Sequence, residues 1–428
     1  MASDTNSLTG LRGGAADGAG GGALWTLEGL RGAEPVLGLA LIMLLAVVAA
    51  DALVRWTRLP RATGWMLVGA LAGPVALDVL QRGELDAWKP LLDLAIGVLV
   101  FELGSRIRPR WLIDNPGLAA ACVLEGLLAG GLVAAALIGL GAAPASAVVA
   151  GAVAMSTSPV ITLSGVHENA SRGQVTERVL VMSAVNSVMA VLAIKLVHVA
   201  GVADRPDVTA DIGAAAASAA YVAFGSFLLG VTAGWLLERL GRLARHPASL
   251  AVLQIALVVL ATLLAARWTL SPLLALLAAG MVARSRMRHR LTVEPQLGTL
   301  GASLTVLLFV CIGLLFDFGG LLAVWPWVLA IIGARLAGKA LAVALTARAS
   351  GLGWRQAGAL TLALQPMSGL LVLLAAASFS WDAALPGVDP RVLSALLAAT
   401  ALMQLSGPLW LQFGLQHVAG ETGGGSST

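Results

Sequence analysis

Residues 154–163 read AMSTSPVITL, and the sense made of this stretch decides the fold. Ser156, Thr157, Ser158 and Pro159 interrupt a run that is otherwise apolar on both sides. Three hydroxyls and a proline add nothing to a helix that only has to be greasy. The surrounding chain shows why that matters. It is 58% hydrophobic and 12% charged, about half the charge of an ordinary soluble domain, and its mean hydropathy is +0.88. Its apolar runs approach or exceed the roughly 20 residues that a helix needs to cross a bilayer. They lack the period-two alternation of a membrane barrel. The chain reads as an all-α polytopic membrane protein, in which every backbone polar group is satisfied within helices.

Thirteen helices are predicted, at 35–56, 61–80, 90–108, 116–141, 144–165, 174–200, 212–241, 247–267, 269–286, 296–316, 322–349, 354–379 and 389–414. Residues 1–33 read as a disordered Gly/Ala-rich leader and 416–428 as a disordered tail, with the membrane domain filling 34–415. Basic residues test the assignment. They crowd the odd-numbered connections, with Arg106, Arg108 and Arg110 in the third and Arg284, Arg286, Arg288 and Arg290 in the ninth. Even connections carry only Arg82, Lys89, Arg205, Arg267 and Arg391. The positive-inside rule places the N-terminus outside and the C-terminus in the cytoplasm.

The chain also repeats itself. Gly73 near the end of the second predicted helix matches Gly280 of the ninth, 207 residues on. Gly104 of the third matches Gly313 of the tenth at 209, and Pro159 of the fifth matches Pro366 of the twelfth at 207. Repeat one is 35–200, a linking helix is 212–241, and repeat two is 247–414. One linking helix makes the second repeat enter the membrane from the opposite side. That is an inverted-topology repeat, in which matched Pro- or Gly-broken helices mark the binding site of secondary transporters. The fifth and twelfth predicted helices are that pair, crossing at "STSPV" and "LQPMSG".

Charges inside the membrane are functional candidates by default. Glu102, near the cytoplasmic end of the third helix, is a titratable proton or cation ligand. It could instead snorkel or pair with Arg106 at i+4. Glu125 and Arg335 occupy the middles of the fourth and eleventh helices and are expected to pair directly. Lys339, one turn on, lines an inner cavity or snorkels. Ser156, Thr157, Ser158, Asn186, Ser187 and Gln365 supply neutral ligands around the breaks at Pro159 and Pro366. Asn186 and Ser187 could equally be helix–helix glue. His167, His246 and His289 fall in predicted loops and His417 in the tail. No metal-ligand spacing, phosphate loop or nucleophile–His–acid set appears, so an enzyme, a metal site and a cofactor are not expected. Nucleic acid is not needed to explain a formal charge of +4.

Several segments together resemble the monovalent cation:proton antiporter superfamily, the sodium/proton exchanger fold. They are RLPRATGWMLVGALAGP (58–74), LLDLAIGVLVFELG (91–104), VCIGLLFDF (310–318), ARLAGKAL (334–341) and LLAATALMQLSGPLW (396–410). The resemblance implies a homodimer in a bacterial inner membrane. It implies a mobile core around the crossed helices, and exchange of a monovalent cation for protons by alternating access. It also exposes departures. The family places an acid after the helix-5 threonine and another after the helix-6 asparagine; this chain has Ser158 and Ser187. Met182 stands where many members have a Glu. Two other readings fit the same residues: a carrier of an anion or neutral solute on this scaffold, and a non-transporting membrane sensor.

Overall fold

The computed structural model describes residues 35–57, 59–73, 89–107, 109–203, 212–243, 247–286, 298–314, 321–369, 371 and 390–421. The predicted leader, residues 74–80 of the second predicted helix, most of the second half of the twelfth, and the last seven residues of the tail lie outside them.

The described chain is helical. In order it forms α1 (Pro35–Thr57), α2 (Arg61–Ala72), α3 (Lys89–Arg106), the short α4 (Pro109–Asp114), α5 (Pro116–Gly139), α6 (Pro144–Ala154), α7 (Pro159–Glu168) and α8 (Gln174–Ala203). After these come α9 (Ile212–Gly241), α10 (Pro247–Arg267), α11 (Pro272–Arg286), α12 (Gly298–Leu314), α13 (Leu321–Ala347), α14 (Trp354–Ala363) and α15 (Pro390–Gln412). Eight of these helices begin at a proline. Proline suits the first helical position, because the N–H it lacks would have no partner there and its φ is already helical. Eight spans among the described residues are long and apolar enough to cross a bilayer.

The fifth predicted helix is broken, as expected, into α6 and α7, separated by Met155–Ser158. One boundary changes: the last helix continues as a π-helical turn, Phe413–Ala419, beyond the end expected at 414. Glu421 then accepts hydrogen bonds from Val175 N at 2.7 Å and Thr176 N at 2.8 Å.

Contacts join several of the connections. Arg61 N donates to Glu168 Oε1 at 2.5 Å, and Arg178 donates to the Ser350 carbonyl. Glu238 pairs with Arg242 and lies 3.8 Å from Arg286. These contacts join the first, fifth and eleventh predicted connections or their borders to one another, and the seventh to the ninth. Tyr221 Oη donates to Trp268 O at 3.0 Å, near the even connections.

Several helix pairs pack backbone against backbone. A Cβ on Gly69 would overlap the Val310 carbonyl, and one on Gly313 would overlap the Met66 carbonyl, which clasps α2 to α12. Likewise a Cβ on Gly104 would overlap Leu277 O and one on Gly280 would overlap Phe101 O, which clasps α3 to α11. Gly313→Ala is therefore expected to destabilise the protein by about 1–3 kcal/mol, the usual range for an overpacked core. Gly301→Ala on the same helix meets nothing within 4 Å and is expected to be neutral. Thermal denaturation of the two variants in detergent checks the difference.

Candidate functional site

The break in α6–α7 creates a specific chemical problem. A helix end leaves its last carbonyls without partners, and no water reaches them in a packed membrane core. The α6 carbonyls end inside the bundle, where Ser156 and Thr157 are fully buried. Beside them α14 ends at Ala363, and residues 365–368 are non-helical around Pro366. The two interruptions cross. Ser158 N donates to Pro366 O at 2.8 Å, and Thr157 Oγ1 donates to Leu364 O at 3.2 Å.

Arg335 of α13 answers the problem. Its side chain is 0% exposed. Nε donates to Ala154 O at 3.0 Å, and Nη2 to Ser156 O at 2.6 Å and Leu364 O at 3.4 Å. Nη1 donates to Gln365 O at 2.7 Å and to Gln365 Oε1 at 3.3 Å. One planar guanidinium fork thus caps the C-terminal ends of two broken helices, where the helix dipoles favour a positive charge. Gln365 is held from its other side, Nε2 donating to Thr361 O at 2.7 Å.

The expected Glu125–Arg335 pair does not form. Glu125 pairs with Lys339, and both side chains are 0% exposed. The stagger of α5 against α13 decides this. A Cβ on Gly338 would lie 2.6 Å from Ala129 Cα, so the two backbones meet at that level. Lys339 is adjacent to that contact, Glu125 is one turn from it on α5, and Arg335 is nearly a turn beyond it on the other side. Lys339 neither snorkels nor faces an open cavity. Its Nζ also donates to Thr157 Oγ1 at 3.0 Å, which ties the ion pair to the break.

α8 completes the cluster. Asn186 Nδ2 donates to Glu125, while Asn186 Oδ1, buried, has no hydrogen-bond partner among the described residues. Ser187 Oγ donates to Ser183 O at 2.8 Å and reaches Thr157 O at 3.0 Å. Ser158 Oγ accepts from Ile161 N at 3.3 Å, the N-cap bond of α7. Ser156 Oγ donates to Val153 O at 2.8 Å. Hence Thr157, Asn186, Ser187, Glu125 and Lys339 form one buried polar cluster. Ser156, Gln365 and Arg335 form its neighbour across the crossing.

Glu102 lies elsewhere. Its Oε1 is 3.0 Å from Arg106 Nη2 and 3.0 Å from His167 Nε2, near the end of the bundle. His167 is on α7, nine residues from Ser158, or about 13 Å at 1.5 Å per residue. The i+4 pairing with Arg106 is the arrangement found. His167, expected in a loop, belongs to α7, and His417, expected in the tail, stacks on Phe413 in the terminal π-helical turn. The sequence signal overlooked was the Glu102–His167 spacing to a helix end; neither residue type announces the other across 65 positions.

The sodium/hydrogen exchanger transmembrane family matches residues 40–416. No curated protein matches the chain. Among solved structures, the sodium proton antiporter MjNhaP1 from Methanocaldococcus jannaschii at pH 8 has the same fold, with a TM-score of 0.68. It is 14% identical, over 89% of this chain and 95% of that one. An electron-microscopy structure of MjNhaP1 aligns with a TM-score of 0.66 at 14% identity, over 90% of this chain and 98% of that one.

Proposed function

The chain belongs to the sodium/hydrogen exchanger family, and from that premise we propose that it exchanges a monovalent cation for protons across a bacterial inner membrane by alternating access. The observation that carries this reading is the buried polar cluster on the α6–α7 break, with a carboxylate, an ammonium and an unpartnered amide oxygen in one place. A merely structural kink does not need ionised groups, whose burial in a membrane is costly and makes them functional candidates.

The proposed architecture is thirteen membrane helices in two inverted repeats, working as a homodimer. Reciprocal glycine clasps support the repeat: α2 meets α12 as α3 meets α11. The mates α5 and α13 pack on each other, as a pseudo-two-fold axis through the crossing requires. The clasps move one landmark. Gly69, a turn before Gly73, makes the contact equivalent to that of Gly280. The positive-inside rule assigns the arginine-rich odd connections to the cytoplasm.

Proteoliposomes holding an imposed pH gradient test the reading. Addition of Na⁺, K⁺ or Li⁺ is expected to dissipate the gradient for at least one ion. Failure of all three would exclude cation:proton exchange. Uptake dependent on an anion instead would support an anion carrier on this scaffold.

A further inference from the structure

We infer that Glu125, delivered from α5, is the carboxylate that binds the transported monovalent cation, and that the Lys339 ammonium fills the same seat when no cation is bound. The inference rests on the exchanger reading and deepens it.

Three observations lead there. First, the positions after Thr157 and Asn186 are serines, and both hydroxyls are engaged locally. Ser158 Oγ caps α7, and Ser187 Oγ is held by the Ser183 and Thr157 carbonyls. Neither offers a negative charge to a cation.

Second, a carboxylate nevertheless reaches this place from a third helix. Glu125 is 0% exposed and bonded to both Asn186 and Lys339, and Lys339 bonds Thr157 at 3.0 Å. The negative charge has changed helices without leaving the break.

Third, Asn186, bonded to Glu125 through Nδ2, carries an unused acceptor among the described residues. A buried amide oxygen with no donor is costly; Oδ1 has none among the described residues. Glu125, Asn186 Oδ1 and Thr157 Oγ1 are the oxygens that a hard monovalent cation would take. In the cation-free state a primary ammonium, a compact point charge with three donors, satisfies two of them. Arg335 is not a competitor, because its five donors are committed to the helix-end carbonyls and Gln365. The Glu125 carboxylate already holds one cation, the Lys339 ammonium, so a metal cation enters only as the ammonium gives way. That couples occupancy of the site to the position or charge of Lys339.

The test uses purified full-length protein and its thermal stability in Na⁺, K⁺ and Li⁺ titrations, beside transport in vesicles. Wild type is expected to gain stability with the ion it transports, and Glu125→Gln to lose that gain. Glu125→Asp, which keeps the charge but shortens its reach, is expected to need about tenfold more cation. Lys339→Gln gives the distinctive result. It leaves a buried carboxylate unpartnered and lowers stability, and added cation is expected to restore it, with about tenfold tighter apparent binding than wild type. A purely structural ion pair predicts no such rescue. Should Glu125→Gln not fold, the Glu125→Gln/Lys339→Gln double variant, neutral at both positions, takes its place and is expected to be insensitive to cation. Wild-type transport with cation response intact in the Glu125 variants would overturn the inference and leave the exchanger reading standing. Loss of the response in Glu102→Gln, but not in Glu125→Gln, would also overturn it. A wild type that transports none of these ions would fell the exchanger reading itself.

Discussion

Lys339→Met is expected to cost about 3–5 kcal/mol, the usual consequence of removing one partner from a buried ion pair. The methionine fills much of the lysine's volume, so lost packing contributes little. What remains is the Glu125 carboxylate, fully buried, with Asn186 as its one remaining donor among the described residues. Adding Glu125→Leu on top is expected to recover most of the loss, because replacing a whole buried pair by apolar groups is often neutral or stabilising. Thermal denaturation of the two single variants, the double variant and wild type forms a cycle that isolates the coupling. Additive losses would mean that the two side chains do not depend on each other. The recovered double variant is expected to fold but not to exchange ions, separating stability from function.

Arg335→Ala is expected to be at least as damaging, by about 3–5 kcal/mol. Its guanidinium satisfies carbonyls of Ala154, Ser156, Leu364 and Gln365, drawn from both broken helices. Each buried carbonyl left without a donor costs about 1–3 kcal/mol, and partial relaxation limits the sum. Arg335→Lys is expected to rescue only a fraction. A lysine keeps the charge but cannot fork to carbonyls on two helix ends. Measured unfolding temperatures for the two variants check the order: wild type, then lysine, then alanine. Equal stability of the lysine variant and wild type would show that charge alone holds the crossing. The same lesion should loosen the α14 end, seen as faster amide exchange at Leu364 and Gln365.

Much of this site was legible in the sequence. Hydroxyls and a proline in an apolar run announced the break at Ser156–Pro159, and Pro366 at the same spacing announced its mate. Membrane burial made Glu125, Arg335 and Lys339 conspicuous, since nothing else explains such residues at that depth. What could not be read was which cation meets the carboxylate. Arg335 and Lys339 are four residues apart on one helical face, so composition and depth treat them alike. The choice is made by axial stagger, fixed where Gly338 lets α13 touch α5 at Ala129. That contact joins residues more than 200 positions apart, and no local pattern encodes it. The role of Arg335 was hidden for a related reason: its partners are backbone carbonyls, which leave no mark in a sequence. Glu102 stands out in the sequence as a charge inside an apolar run; α3 delivers it to His167 and Arg106 near the bundle's end, a partnership with His167 that no local pattern encodes.

Cation exchange through the buried Glu125 carboxylate on the α6–α7 break is tested by comparing wild type and Glu125→Gln in matched proteoliposomes with an acidic lumen, each given a pulse of the cation that wild type accepts. Wild-type vesicles are expected to lose their pH gradient on the pulse, while vesicles of the folded variant keep it. Gradient loss at equal rates in both would contradict a role for Glu125 in exchange.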